Sequence, residues 1–342
     1  MNTVSRMPLL FVLFWSAVTL LFDGFILRGI VGQLQALSYS RTTGTITYSE
    51  VSEKTDSDGT TYGFVVRYAY EVDGRAYEGT RYRYSQSSSS NKAPARALKE
   101  RFHEGATVPV FHSPEAPEEA VLETGVRGYE LFFLLFMSPF NLVMLGGWYG
   151  VLLGRRKDED EVGAFRRGDR VHVRLERTGA VAAGFVAFGV ASFLAIFVVG
   201  IPTGFDPSLP TMLVTWGLLI ATGVFFGRKH GAKLDAGDHD LILDEGTRRL
   251  SLPVGPDRTE RLDVPWSQVH SVSVETHTSK DSDGDTVTTW RPTVVVTAAN
   301  ELGRRSEAIV DWKDEKRAAA LVEWLKSRLR HRESVTKARM SG

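Results

Sequence analysis

Four long apolar runs constrain this 342-residue chain more than any other feature. A helix needs about 20 mostly apolar residues to cross a hydrocarbon core of about 30 Å, whereas the apolar runs of buried core helices seldom exceed about 14 residues. None of the runs alternates strictly between apolar and polar residues, as the strands of a membrane barrel do. The sequence therefore predicts four transmembrane helices, in the runs Pro8–Val31, Gly128–Gly154, Gly179–Ile201 and Pro210–Gly227.

The first run has an alternative interpretation as a cleaved signal peptide. The segment before it carries only Arg6 and the terminal amine as positive charges. Its apolar stretch is longer than the roughly 7–15 residues of a signal-peptide core, and no A-x-A cleavage pattern follows it. These features favour a signal anchor that is retained.

The basic residues between the runs predict the orientation. Short cytoplasmic loops are enriched in Lys and Arg, whereas long domains are translocated largely regardless of charge. The loop between the second and third runs is rich in arginine from Arg155 to Arg177, and Arg228 and Lys229 follow the fourth run. The connection 202–209 contains neither Lys nor Arg. We therefore expect a multi-pass protein of the cell membrane (plasma or inner membrane) with both termini in the cytoplasm.

The resulting fold class is a membrane α plus β protein, with one β-rich domain on each side of the bilayer. The arginines of the loop after the second run, and the basic C-terminal tail, are expected to contact anionic headgroups. The predicted layout in chain order is a cytoplasmic N-terminus 1–7, helix 8–31, extracytoplasmic β-rich domain 32–127, helix 128–154, basic cytoplasmic loop 155–178, helix 179–201, short outside hairpin 202–209, helix 210–227 and cytoplasmic β-rich domain 228–342 with a C-terminal helix and basic tail.

The extracytoplasmic segment reads as strands rich in Tyr, Val and Thr. Asp73-Gly74 between two of them is typical of a type I′ hairpin. A helix is predicted over Pro94–His103, followed by a strand in TVPVFH. One face of the second strand carries four apolar or aromatic side chains that we expect in the core: Phe64, Val66, Tyr68 and Tyr70.

The end of this segment contains a motif on Gly105, Val108, Val110, Pro114 and Pro117. With the strands and helix before it, this motif resembles the bacterial domain-of-unknown-function-3592 family, over roughly Phe11 to Val151. That family shows a strand pair, a helix and then a G-x-x-V-x-V-x-x-x-P-x-x-P pattern just before a transmembrane helix. The family often has an aromatic–aspartate pair where this chain has Phe111, His112 and Ser113. The resemblance implies a small membrane-tethered β domain without an established activity.

The chain from Asp238 onwards predicts six or seven short strands and a final amphipathic helix. Asp311 is the predicted N-cap of that helix. The phrase LDVPWSQVHSVSVE and the strands-then-helix order resemble a bacterial pleckstrin-homology-like domain. The helix carries a stripe of apolar residues spaced by three and four, which predicts packing on a sheet: Ala318, Leu321, Val322, Leu325 and Leu329.

Polar residues within the apolar runs are the candidate functional residues of the spans. Ionisable groups at membrane depth are costly and often functional. Asp23 and Arg28 fit this description, although both would also fit the outer interface. Asn141 beside Pro139 is interpreted as an interhelical hydrogen-bonder at a kink.

Small residues at every fourth position predict close helix packing, within one chain or between two copies. A homo-oligomer formed through these helix faces is one outcome. The candidates are Gly146, Gly150 and Gly154 in the second run and Ala183, Ala187, Ala191 and Ala195 in the third.

The sequence favours no catalytic, metal or cofactor site. The chain has no cysteine, which excludes thiolate metal sites, disulfides and cysteine nucleophiles. A hairpin turn explains Asp281, Asp283 and Asp285 better than a calcium site does, because the EF-hand glutamate is missing. A juxtamembrane turn similarly explains the cluster His230, Asp238, His239 and Asp240.

These observations predict a non-enzymatic interaction or signalling scaffold. Expected partners are the lipid bilayer and an unknown protein or envelope component. The net charge is zero, with 41 basic and 41 acidic residues, and no nucleic acid is expected. One alternative is a small transport or channel component using Asp23, Arg28 and Asn141. Another is an outer hydrolase, which would need a cleft that combines His103 or His112 with a carboxylate.

Overall fold

The computed structural model describes residues 7–57, 59–86, 88–153, 162–176, 178–280, 284–297 and 303–340. These residues divide into two compact units. Unit 1 comprises Met1–Trp148 with Phe188–Ile220, and unit 2 comprises Tyr149–Ala187 with Ala221–Gly342. The described helices are α1 (Met7–Gln35), α2 (Lys92–Arg101), α3 (Gly128–Leu153), α4 (Ala180–Thr203), α5 (Leu209–Ala236) and α6 (Glu315–Met340).

Four of these helices, α1, α3, α4 and α5, are long and apolar enough to span a membrane, as the sequence predicts. Many of their large apolar side chains are exposed, among them Phe25, Val186 and Leu218. Two helices extend beyond the predicted limits. Helix α1 continues past Val31 to Gln35, and α5 continues past Gly227 to Ala236.

The first β domain is a five-stranded antiparallel sheet with α2 packed against it. Its strand order is β3-β2-β1-β4-β5. Asp73 and Gly74 connect β2 to β3 with φ angles of 51° and 74°, the two positive values that a type I′ turn requires. The strands are β1 (Ser40–Asp56), β2 (Gly59–Val72), β3 (Arg75–Gly79), β4 (Thr107–His112) and β5 (Ala120–Val121).

Tyrosines form much of the core of this domain. The predicted inward face of β2 is confirmed, because its four apolar and aromatic side chains are all buried. The hydroxyls of the two tyrosines on this face are hydrogen-bonded. Tyr68 donates to the carbonyl of Arg81 at 3.0 Å, and Tyr70 donates to the carbonyl of Pro117 at 2.5 Å. Burial raises the pKa of both phenols above the ordinary value.

The second β domain contains two further sheets. The first has the order β10-β9-β8-β7-β6, and two of its strands come from the loop 155–178. The basic sequence of this loop did not predict these two strands. The structure pairs Val171 with Leu243, so the loop extends the sheet of the C-terminal segment. The strands are β6 (Ala164–Arg167), β7 (Arg170–Arg174), β8 (Asp240–Asp244), β9 (Arg249–Leu252) and β10 (Leu262–Pro265).

The other sheet of this domain is β11 (Val269–Lys280), β12 (Thr286–Thr297) and β13 (Arg304–Ala308), in that order. Helix α6 packs on it, and the predicted stripe is confirmed, because Leu321 and Leu325 are fully buried. Asp285 lies in the connection between β11 and β12, while Asp281 and Asp283 fall outside the described residues.

The predicted N-cap of α6 is wrong. Asp314, not Asp311, accepts a hydrogen bond from the backbone N–H of Arg317, at 3.1 Å. The chain is still extended at Trp312, which forms a β-bridge with Trp290, so the helix begins later than predicted. Asp311 instead forms an ion pair with Arg291 at 2.6 Å.

Candidate functional site

A buried ion pair connects the first β domain to the start of α3. Arg83 and Glu130 approach to 3.0 Å, and each side chain is only 2% exposed. Arg83 also donates to the carbonyl of Gly125 at 2.8 Å. The fully buried Gln33 of α1, with its amide oxygen towards Arg83, accepts hydrogen bonds from Nη2 and Nε at 2.7 and 2.5 Å. The guanidinium of Arg83 therefore joins α1, the β domain and α3. The contacts of Arg83 with Gln33, Gly125 and Glu130 form a junction between the domain and the two helices.

Two glycines allow α1 to approach the β domain closely at the junction. A Cβ atom added at Gly29 would lie 2.5 Å from the hydroxyl of Ser85, and one at Gly32 would lie 2.5 Å from the ring of Tyr84. Tyr129 at the start of α3 donates its hydroxyl hydrogen to the Ser85 carbonyl, and Arg83 lies over its ring. The two glycines let the backbone of α1 contact the side chains of Ser85 and Tyr84 directly.

A partly exposed cluster of three charged residues lies beside the junction. Glu123 accepts hydrogen bonds from both Arg101 and Arg127. Arg127 also donates to the hydroxyl of Tyr82 at 3.0 Å, and its backbone N–H donates to Glu130. Because Glu130 therefore contacts two arginines through different groups, the buried pair continues into a charge network at the surface.

The structure brings together two of the three predicted polar residues of the spans. Asn141 donates to the carboxylate of Asp23 at 3.2 Å and to the carbonyl of Met137 at 3.2 Å. Arg28 is exposed on α1. A second polar contact between the same helices, which the sequence analysis missed, joins the indole of Trp148 to the hydroxyl of Ser16 at 2.9 Å.

The two predicted small-residue stripes differ in whether they contact other parts of the chain. A Cβ atom added at Gly146 or Gly150 would meet no atom within 4 Å, so these glycines make no close contact with the described residues, and Gly154 lies outside them. In α4, Ala191 and Ala195 pack against a buried cluster containing Leu135 and Met212 in unit 1. Ala183 and Ala187, on the part of α4 that belongs to unit 2, are half-buried.

A close contact between the backbones of two helices lies on different glycines, in unit 2. A Cβ atom added at Gly184 of α4 would lie 2.8 Å from the carbonyl oxygen of Gly223 and 3.4 Å from the Cα of Gly227 in α5. Gly231 continues the same face and faces Ala180. The signal that would have revealed this contact is the G-x-x-x-G-x-x-x-G spacing of Gly223, Gly227 and Gly231.

The second β domain contains a half-open cavity of about 400 Å³. Arg317 forms part of its wall, with its guanidinium 3.6 Å from the centre of the Trp312 ring and one N–H donated to the carbonyl of Leu175 at 2.9 Å. The other lining residues include a carboxylate, an imidazole and a turn rich in proline: Glu176, His239, Pro253, Val254, Gly255, Pro256, Ile309, Val310 and Asp311.

Glu176 is held in its ionised form at this cavity. Burial alone would raise its pKa, but the N–H of Thr178, donated at 3.0 Å, and the nearby His239 and His230 outweigh burial. The pKa of Glu176 is therefore below its ordinary value. The rings of His230 and His239 stack, with their centres 6.2 Å apart.

A second buried polar pair lies in the same domain. His172 on β7 contacts the fully buried Asp240 of β8 through Nδ1 at 3.1 Å. Phe165 stacks on the imidazole, and Arg261 donates to the carbonyls of Gly237 and Asp240. This arrangement secures the end of α5 to the sheet, because Gly237 follows α5 and Asp240 begins β8.

The comparisons with known proteins concern the first β domain. Residues 42–127 match a family model described as a domain of unknown function, DUF3592. The predicted family resemblance is confirmed for this segment, which is shorter than the predicted range of Phe11 to Val151. The DUF3592 domain therefore covers β1 to β5 with α2 and ends directly before α3. No curated protein and no solved structure matches the chain, so the resemblance of the second β domain to a pleckstrin-homology-like domain stays a prediction.

The motif residues of the DUF3592 domain lie in β4 and directly before it. Val108 and Val110 of β4 are buried in the core, and Gly105 adopts a φ of 80° before the strand. The two histidines face backbone: His103 Nδ1 lies 3.0 Å from the carbonyl of Glu104, and His112 Nδ1 lies 3.1 Å from that of Ser113. The motif thus positions β4 in the sheet.

Proposed function

We propose that the protein is a multi-pass cell-membrane protein that acts as a non-enzymatic interaction or signalling scaffold. The DUF3592 domain lies outside, and the second β domain and both termini lie in the cytoplasm. The outer domain binds a protein or envelope component, and the inner domain binds a partner or lipid. The observation that carries the proposal is the buried pair of Arg83 and Glu130 with Gln33.

The junction suits a scaffold because it couples the domain to two helices at one point. A buried ion pair costs several kcal/mol to break, so a displacement of Arg83 is transmitted to α1 and α3. A freely tethered domain would need only a linker. A force on the DUF3592 domain, or a ligand bound to it, therefore changes the arrangement of the spans.

The binding surface in this proposal is the outward face of β1 and β2. Val65 is 42% exposed and Tyr48 is 36% exposed, on the opposite side of the sheet from the buried face of β2. Arg67 pairs with Tyr48 across the strands and lies over its ring at 5.5 Å. Exposed aromatic, apolar and arginine side chains are typical of contact residues in interfaces.

Photo-crosslinking from this face tests the proposal. A benzophenone amino acid at Val65 of the full-length protein, in the cells that produce it naturally, should give a discrete adduct with one partner. The matched control is the same probe at Arg96, an exposed position on α2, which covers the other side of the sheet. A discrete adduct at Val65 alone supports the proposal, and no adduct at Val65 overturns it.

A transport function is the second candidate, because Asp23 and Asn141 are hydrogen-bonded on two of the candidate spans. Carboxyl groups within transmembrane segments commonly take part in proton relays. Purified protein in liposomes should then dissipate a pH gradient, and Asp23→Asn should abolish the flux while insertion is unchanged. Equal gradient decay in liposomes with and without the protein would rule out this candidate.

A further inference from the structure

The cavity of the second β domain lies at the ends of two candidate spans. Glu176 precedes the start of α4 at Ala180, and His239 follows the end of α5 at Ala236. Each residue of extended chain covers at most about 3.6 Å, so neither lining residue lies far along the chain from its helix. The cavity is therefore fixed to the ends of α4 and α5 within unit 2.

The contacts between these two ends set the depth of the cavity. The imidazole of His230 lies 2.9 Å from the carbonyl of Thr178, so the segment before α4 runs beside the last turns of α5. His230 is three residues beyond Gly227, where the apolar run ends, which is about 4.5 Å along a helix. The headgroup layer on each side of a hydrocarbon core is about 5–8 Å thick. Glu176, which binds Thr178, lies at that depth.

The cavity wall offers opposite charges. Glu176 supplies an ionised carboxylate, and Arg317 supplies a guanidinium held over Trp312. Asp311 is already neutralised by Arg291. A ligand that carries both a positive and a negative group matches this wall better than a simple anion or cation does.

The lining also includes apolar side chains. Ile309 is fully buried, whereas Val254 on the opposite turn is 54% exposed. Pro253 and Pro256 hold the rim of the turn. Polar groups that converge in a concave site fix the orientation of a small ligand, and 400 Å³ lies within the common range of about 300–1,000 Å³ for such sites.

We propose that this cavity binds an ammonium–phosphate headgroup of the phosphoethanolamine class, supplied by a membrane phospholipid. The ammonium group is held by Glu176, and the phosphate by Arg317 with His239. The proposal rests on the proposed crossing of the membrane by α4 and α5, and it does not depend on the protein partner of the DUF3592 domain.

Binding to the full-length, delipidated protein in detergent tests the site. The probes are dihexanoyl phosphatidylethanolamine, dihexanoyl phosphatidylglycerol and free phosphoethanolamine, measured by titration calorimetry. Phosphatidylethanolamine should bind at least ten-fold more tightly than phosphatidylglycerol, which has no ammonium group. Glu176→Gln should remove this preference, whereas Glu260→Gln, an exposed carboxylate outside the lining, should retain it.

The remaining outcomes distinguish the sources of the headgroup. Weaker binding of free phosphoethanolamine than of the lipid supports a lipid ligand. Equal binding of the two supports the same headgroup site with a soluble ligand, and overturns the lipid source. Equal binding of the two lipids, or an unchanged preference in Glu176→Gln, overturns the site. A change of Trp312 fluorescence, defined as the part lost in Trp312→Phe, confirms that binding occurs in this cavity.

Discussion

The two β domains are stabilised by different side-chain chemistry. The DUF3592 domain has a tyrosine-rich core and contains no tryptophan, whereas the second β domain contains Trp266, Trp290, Trp312 and Trp324 and no tyrosine. The first domain is connected to its helices through a buried guanidinium. The second domain packs α6 through apolar side chains, and α4 and α5 meet at glycines. A buried ion pair thus joins the first domain to α1 and α3, whereas in the second domain apolar and glycine packing stands beside the buried polar pair of His172 and Asp240 at the end of α5.

Removing one member of the buried ion pair should have the largest effect. Arg83→Met leaves Glu130 buried without its partner, which typically costs about 3–5 kcal/mol. Thermal unfolding in detergent, followed by tyrosine near-ultraviolet circular dichroism, measures the loss. Arg81→Met removes an exposed arginine two residues away and should change stability by less than about 0.5 kcal/mol.

The double variant Arg83→Met/Glu130→Met sharpens this prediction. It removes both charges and should recover much of the stability that either single variant loses. If Arg83→Met and Arg81→Met were equally stable, the junction would not couple the domain to its helices through charge.

A cavity in the apolar packing of α6 should affect only the second domain. Leu325 is fully buried, and Leu325→Ala should cost about 2–5 kcal/mol. Tryptophan fluorescence should report the loss while the tyrosine signal is unchanged. Ala319→Ser on the exposed face of α6 is the control. Simultaneous loss of both signals at one lower temperature would contradict independent packing of the two domains.

A side chain added at the glycine contact should separate α4 from α5. Gly184→Leu places a Cβ atom 2.8 Å from a backbone oxygen that cannot easily move, and overpacking of this kind costs about 1–3 kcal/mol. Gly217→Leu on α5 meets no atom within 4 Å and serves as the control. Thermal unfolding of the two variants gives the difference, and equal stability would show that the glycine contact is not close.

Alkaline pH should destabilise the tyrosine-rich domain first. The folded-state pKa of Tyr68 is raised by burial, so the unfolded chain loses this proton first as the pH rises through about 10. Stability is therefore unaffected below pH 10 and falls above it, by about 1.4 kcal/mol per pH unit for this tyrosine. Tyr68→Phe should reduce the slope by that amount, measured by chemical unfolding between pH 9 and 11. A tryptophan signal lost before the tyrosine signal would reverse the predicted order.

Features with a local cause were predictable from the sequence. The alternation along β2 identified Tyr68 as a core residue, because strand side chains alternate between faces. The Asp73-Gly74 turn followed from the positive φ angles that its hairpin requires. The stripe on α6 followed from the helical period.

Features that depend on distant partners could not be predicted. Arg83 meets Glu130 across 47 residues, and nothing in the neighbourhood of either indicates the pairing. The strands β6 and β7 are short and rich in arginine, and β8, with which β7 pairs, follows only after two candidate spans. The N-cap of α6 was misplaced because the bridge of Trp312 to Trp290 keeps the chain extended.

The most direct test of the account is the location of the two domains relative to a membrane. Because the chain has no cysteine, single cysteines placed at the exposed positions Glu78, Asp206 and Thr278 can be labelled selectively. On intact cells (spheroplasts if an outer envelope is present), a membrane-impermeant maleimide should label Glu78→Cys and Asp206→Cys, and it should label Thr278→Cys only after lysis. Labelling of Thr278→Cys on intact cells, or protection of Glu78→Cys, would contradict the placement of the two domains on opposite sides.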